Sequence, residues 1–187
     1  MKVSELSPIL ERIGKTTDDF DLFIETGSYM GETLGNMKSV FNKLVSIEIT
    51  DKYYNYCCNK FANDKNVELV KGDCLLELPK LIEKFANSRI LFYLDGHYSA
   101  GDTGKNHLDV PLIEELKLIN ELYNKEALII VDDSDLFEFT NQDLSWSGIN
   151  EENILNILGN RVISHFYMNN MKPYEEKKRL IIEIKNK

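Results

Sequence analysis

A chain of 187 residues with 43% apolar and 28% charged side chains has the usage of an ordinary soluble domain, and at this length can bury about 70% of its unfolded surface, so disorder and fibrous architecture are excluded. The formal charge of −9, from 31 acidic against 22 basic residues, repels phosphate backbones and anionic lipid, so neither nucleic acid nor a membrane is an expected partner. Cys57, Cys58 and Cys74 comprise an adjacent pair that cannot readily join and an odd remainder, which is no disulfide framework and points to a reducing, cytoplasmic setting.

Along the chain, MKVSELSPILERIG interrupts its apolar residues with charges and lacks the continuous apolar run of a signal peptide; it reads as a helical segment within residues 1–18. Short runs rich in β-branched and aromatic residues then recur as strand candidates at 21–26 (DLFIET), 44–49 (LVSIEI), 67–72 (VELVKG), 90–95 (ILFYLD), 127–132 (ALIIVD), 162–168 (VISHFYM) and 179–185 (RLIIEIK). Helical spacing fills 31–42, 51–63, 74–86, 109–124 and 150–159. This alternation predicts an α/β fold with a mostly parallel sheet, in which the nearly continuous apolar runs ILFYLD and ALIIVD are central strands covered on both faces. Only NNMKPYEEK separates the last two strands, too little for a crossover helix, so they form an antiparallel hairpin. The one dense basic stretch, 172–179, is broken by Glu175 and Glu176 and reads as a solvated turn. No linker divides the chain, which is expected to be a single domain: the helical segment, a core over 19–133, and a loop, helix and hairpin over 134–187.

FIETGSYMGET, residues 23–33, is a strand ending on Glu25, a turn between Gly27 and Gly31, and a helix start. Glycines let main-chain N–H groups approach a ligand, and a helix start adds partial positive charge. Alone the spacing is a weak signal, because Tyr29 stands where a dinucleotide fold wants its middle glycine. Glu48 closes the second strand about 20 residues on, where an acid can accept ribose hydroxyls. Asp73, in KGDC, follows the third strand, so three successive strands end in a carboxylate at one sheet edge.

E-T-G-S-x-x-G, Glu48, G-D and Y-L-D-G-H, in that order over residues 21–133, resemble the motif series of class I S-adenosylmethionine-dependent methyltransferases. The resemblance implies a Rossmann-like three-layer fold, a seven-stranded mostly parallel sheet with a C-terminal antiparallel hairpin, and S-adenosylmethionine as cofactor. It implies Glu25 near the methionine amino group, Gly27 and Gly31 under the cofactor backbone, Glu48 on the ribose and Asp73 near the adenine amine. Thr26, Ser28, Thr33, Cys74 and Asp95 complete the implied cofactor-binding set.

A second constellation follows strands four and five. Asp95 ends one strand and Asp132 and Asp133 the other; three converging carboxylates repel, and a divalent cation, Mg²⁺ or else Mn²⁺ or Ca²⁺, removes that cost. Aspartates capping a turn is the plainer reading of Asp132 and Asp133. With this feature the chain resembles metal-dependent O-methyltransferases, and L-D-G-H-Y with P-L-I-E-E-L resembles a bacterial subgroup tied to sugar and secondary-metabolite modification. His97, two residues past Asp95, is either the catalytic proton acceptor or a histidine bonded to a loop carbonyl. His107, with Asp102 and Lys105 nearby, lies on the same long loop, 96–108; His165, within a strand, reads as packed or surface. On the second long loop, 134–149, Phe137, Phe139 and Trp146 either stack on substrate or pack the loop down.

These readings converge on methyl transfer from S-adenosylmethionine to a hydroxyl of a small molecule or sugar. The alternatives are a non-catalytic nucleotide- or sugar-binding module on the same fold, and a nicotinamide-dependent oxidoreductase, which the incomplete glycine pattern opposes. Pairing into a homodimer through the edge hairpin or N-terminal helix is left open.

Overall fold

The computed structural model describes residues 1–97, 108–142, 144–168 and 177–187. The chain forms α1 (Val3–Arg12), β1 (Leu22–Thr26), α2 (Glu32–Met37), β2 (Leu44–Glu48), α3 (Asp51–Lys60), β3 (Val67–Lys71) and α4 (Cys74–Lys84). It continues with β4 (Ile90–Leu94), α5 (Leu112–Leu122), β5 (Ala127–Val131), α6 (Glu151–Leu158), β6 (Val162–Met168) and β7 (Arg179–Ile184). Every strand expected from the sequence is present. The helix expected over 31–42 is the exception in length: α2 stops at Met37, since Gly35 and Asn36 are poor helix formers and leave its last turn little support.

The sheet has seven strands in the order β3-β2-β1-β4-β5-β7-β6, with β4 at its middle and β7 antiparallel to both β5 and β6. The fold is therefore the Rossmann-like α/β arrangement with a terminal antiparallel hairpin. Strand side chains alternate between faces with a period of two. In β4, Ile90, Phe92 and Leu94 join the core beneath α4, α5 and α6, whereas Leu91 and Tyr93 join the core beneath α1, α2 and α3. All five residues of β1, β2, β4 and β5 are buried, as strands sandwiched between helix layers require.

From β1 the chain winds outward through β2 and β3, then returns to lay β4 on the other side of β1. The strand order reverses between β1 and β4, and a crevice opens beyond their carboxyl ends at such a reversal. The alternation of faces carries past the strand ends and decides which way each terminal acid points. Phe92, fully buried with Tyr123 edge-on at 5.4 Å, anchors the central strand. Phe92→Ala is expected to cost about 3–5 kcal/mol in urea-induced unfolding.

Candidate functional site at the carboxyl edge of the sheet

The turn after β1 lies directly on the end of β4. Gly27 has φ of +84°, and a Cβ there would stand 2.3 Å from the carbonyl oxygen of Asp95. Only glycine allows this approach. The contact is fastened by the Asp95 N–H, which donates to the Thr26 carbonyl at 3.1 Å, and by the Gly27 N–H, which donates to the Ile47 carbonyl at 2.9 Å. Gly31, left-handed at the head of α2, faces the Phe61 ring, which a Cβ would meet at 2.6 Å. Tyr29, the residue lacking the expected glycine, also takes a positive φ, and its ring packs on Tyr53 with centroids 4.4 Å apart.

Around this turn the acids are held by different partners. Glu25 is buried and accepts from Ser46 Oγ at 2.6 Å; Ser46 in turn meets Ser28 Oγ at 2.6 Å. Burial, only partly offset by the Ser46 and Thr33 hydroxyls, pushes the Glu25 carboxyl up to about 8. Thr33 Oγ1 also accepts from the Met1 ammonium at 2.7 Å. Glu48 gathers N–H and O–H donors: Tyr29 N at 2.9 Å, and Thr50 N and Oγ1 each at 2.8 Å. Asp73 caps α4 by accepting the Leu75 N–H at 3.0 Å, and burial next to Glu115 drives the Cys74 thiol upward. Glu25, Thr26, Gly27, Ser28, Gly31, Thr33, Glu48, Asp73 and Cys74 thus lie at the carboxyl ends of β1, β2 and β3 or on the helices that follow. Tyr29, Met30, Lys52, Tyr53 and Tyr56 line an open cleft of about 480 Å³ beside them.

At β4 and β5 the structure brings Asp95 and Asp133 together with His97. His97 Nε2 is 2.9 Å from Asp133 Oδ2 and Nδ1 is 3.6 Å from Asp95 Oδ1. Ligand atoms of these three residues lie within 4.8 Å of one another. Asp132 is turned to the other face: it takes the Tyr93 hydroxyl and stands 3.1 Å from Arg179 Nε, with Arg179 also 3.7 Å from Glu5 of α1. Strand alternation is the reason, because Asp132 shares the face of Ile130 and Tyr93, whereas the left-handed backbone of Asp133 swings its side chain toward His97. Lys178, just before β7, contacts Asp133 and lies 3.3 Å from Asp135. The stretch read as a solvated turn therefore supplies a cation to the site.

Burial raises Asp95 well above the carboxylate range, with Asp132 adding repulsion; the 31% of its side chain left open to water tempers this. Burial opposes a charge on His97, but its bond to Asp133 and the field of Asp95 prevail and hold the imidazole above its ordinary value. Asp133 is likewise disfavoured by burial, yet His97 and Lys178 keep its carboxyl below the usual range. Trp146 is buried edge-on to the His97 ring at 5.0 Å and 6.2 Å from Phe137, so it packs the loop beneath His97, whereas Phe139 is exposed. His165 pairs with Glu151 at 3.0 Å on β6, away from this edge. His107, Asp102 and Lys105 lie outside the described residues.

The sequence reading missed Lys178, Glu115, Tyr93 and Arg179. Tyr93 and Arg179 share strand parity with Asp132, which was the available signal; nothing local marks Lys178 or Glu115.

Neither a known protein family nor a curated protein matches the sequence. Solved structures do match in fold. An O-methyltransferase from Bacillus cereus in complex with SAH superposes with a TM-score of 0.66 at 14% identity, over 97% of this chain and 80% of that one. The N-methyltransferase NodS from Bradyrhizobium japonicum WM9 gives 0.59 at 11% identity, over 98% and 95%. The fibrillarin pre-rRNA processing protein of Methanococcus jannaschii gives 0.57 at 13% identity, over 90% and 67%. The chain thus has a fold found in methyltransferases.

The opposite placement of the adjacent aspartates separates their expected roles. Asp132→Ala, which removes the nearer carboxylate of buried Arg179, should destabilise by about 3 kcal/mol, and Asp133→Ala, on a partly open pair, by about 1 kcal/mol, in parallel urea titrations. Glu25 sets a pH dependence. Its folded carboxyl keeps its proton up to about 8 against 4.5 ordinarily, so its contribution favours the folded state at acid pH and is lost as pH rises across that window. Urea unfolding of the unliganded protein at points between pH 5 and 8 should show this loss, and Glu25→Gln should flatten it.

Proposed function

We propose that the protein transfers the methyl group of S-adenosylmethionine to a hydroxyl of a small molecule or sugar. One observation carries this reading: a glycine turn with Glu25, Glu48 and Asp73 in succession directly abuts, through Gly27 and Asp95, a cluster of Asp95, His97 and Asp133. The cofactor fits the chemistry of the first group. The Gly27 contact sets the turn against the end of β4, Glu25 suits an ammonium, and the Glu48 oxygens have further lone pairs for ribose hydroxyls. The SAH named with the Bacillus cereus structure supports the same choice.

When bound, with Glu25 and Glu48 holding it, S-adenosylmethionine would supply an electrophilic methyl on a sulfonium that takes back the carbon–sulfur electrons as an acceptor oxygen attacks. The hydroxyl proton must leave. A neutral His97 that donates its Nε2 proton to Asp133 presents the Nδ1 lone pair on the Asp95 side, and the imidazolium formed by taking the proton is stabilised by the Asp133 carboxylate. Asp95, His97 and Asp133 are, as a second arrangement, a mixed carboxylate–imidazole donor set that would suit a divalent cation such as Mn²⁺; with His97 as a ligand, the ion rather than the imidazole would ease loss of the hydroxyl proton. Lys178 competes for Asp133 with any such ion.

The choice of a small hydroxyl acceptor rests on the resemblance of the L-D-G-H-Y and P-L-I-E-E-L stretches, and the acidity of the protein bears on nucleic acid alone. NodS is named as an N-methyltransferase and fibrillarin as a pre-rRNA processing protein, but a formal charge of −9 disfavours an RNA acceptor here.

The test is calorimetric titration with S-adenosylmethionine and with a nicotinamide dinucleotide, followed by transfer of labelled methyl to a panel of sugars and catechols. The sulfonium cofactor alone should bind, and Glu48→Ala should weaken it by about 10–100-fold. His97→Asn should lower kcat by about 10²–10⁴-fold, and Lys178→Met should tighten Mn²⁺ binding roughly tenfold. Binding of the nicotinamide cofactor instead would overturn the proposal.

A further inference from the structure

Two residues lining one small cavity beneath His97 each carry a buried polar atom that has no hydrogen-bond partner among the described residues. The atoms are Oε1 of Glu115 on α5 and Nε1 of Trp146 on the loop after β5, each residue being 1% exposed. The cavity measures about 10 Å³, and Gly96, His97 and Leu112 share its walls with these two residues. This is about the space that one water centre needs.

The chemistry of the two atoms is complementary to water. An indole N–H only donates and a carboxylate oxygen accepts, so a water can accept from Trp146 and donate to Glu115, removing the cost of two unpaired buried groups. Glu115 is also hydrogen-bonded to Thr26, at the end of β1, and to Cys74, at the start of α4. Trp146 meets the His97 ring edge-on, with an interplanar angle of 62°. A water between the two atoms would join Glu115, with its bonds to β1 and α4, to the indole that packs on the imidazole between Asp95 and Asp133.

We propose that this cavity binds a single water bridging Trp146 Nε1 and Glu115 Oε1, and that Glu115, acting through the water and Trp146, is a positioning residue that sets the orientation of His97. Gly96 is part of the design: a Cβ there would lie 3.4 Å from Glu115 Oε1 and 3.2 Å from the Thr26 hydroxyl, crowding the groups that hold the carboxylate. The bridge and its effect on His97 stand whatever group the protein transfers.

The experiment compares Trp146→Phe, Glu115→Leu and the double variant in the full chain by urea unfolding and by nitrogen-15 spectra of the labelled His97 ring. Each single change orphans the water and should raise the unfolding constant about five- to tenfold, with the double variant raising it by less than the product. Glu115→Leu should displace the His97 ring signals, and in the Trp146→Phe background that displacement should at least halve. Independent, multiplicative effects on unfolding would overturn the bridge. A displacement that persists in full without the indole N–H would overturn positioning through Trp146, since a direct charge effect needs no relay. Should Glu115→Leu fail to fold, Glu115→Gln, which keeps an acceptor oxygen, must leave the His97 signals in place. A high-resolution crystal structure must then show a water within hydrogen-bond distance of both atoms; a dry cavity would overturn the proposal.

Discussion

The carboxyl edge of this sheet is organised by one contact between main chains, that of Gly27 with the carbonyl of Asp95. It exists because the strand order reverses between β1 and β4, setting two strand ends side by side with no strand beyond them. The close approach at position 27 is fastened by the hydrogen bonds of the Asp95 and Gly27 N–H groups to the Thr26 and Ile47 carbonyls, which tie the two halves of the edge together. The turn with Glu25 and Glu48 and the cluster of Asp95, His97 and Asp133 are therefore held in one fixed relation.

An acid-rich rim on an acid-rich protein raises the question of how repulsion is contained. Each carboxylate has its own solution. Glu25 takes up its proton by burial; Glu48 is surrounded by main-chain and hydroxyl donors; Asp132 is paired with Arg179 and Tyr93. Asp133 is shared between His97 and Lys178. The first solution leaves a group able to lose its proton when a cation arrives, the third is structural, and the last leaves Asp133 divided between two cationic partners. The Asp132–Arg179–Glu5 chain also fastens α1 to the end of the sheet, so part of the rim's negative charge serves the fold.

Much of the fold was legible along the chain. Short β-branched runs with helical segments between them declare a parallel sheet because each period reports local burial, and the brief NNMKPYEEK link allows only a hairpin. The end of α2 was misjudged because the cost of Gly35 and Asn36 is small against the apolar pattern that continues past them. In the site, Glu25, Glu48 and Asp95 were found because an acid closing an apolar strand stands out. Lys178 was not, because a lysine in a mixed charge run looks like any solvated lysine until the hairpin carries it back to β5. Glu115 was hidden within an amphipathic helix, where nothing in the pattern tells a buried glutamate from a surface one.

By itself the sequence determined the order of elements, the edge at which the acids collect and the need for glycine in the first turn, since these follow from periodicity and backbone sterics over a few residues. Tertiary structure alone decided that adjacent Asp132 and Asp133 part company, that His97 joins Asp95 and Asp133, and that Lys178 and Trp146 close around them. The physical reason is that a side chain's partner depends on which face its strand presents and which distant strand lies alongside. Those are properties of the assembled sheet, and no local stretch of chain encodes them.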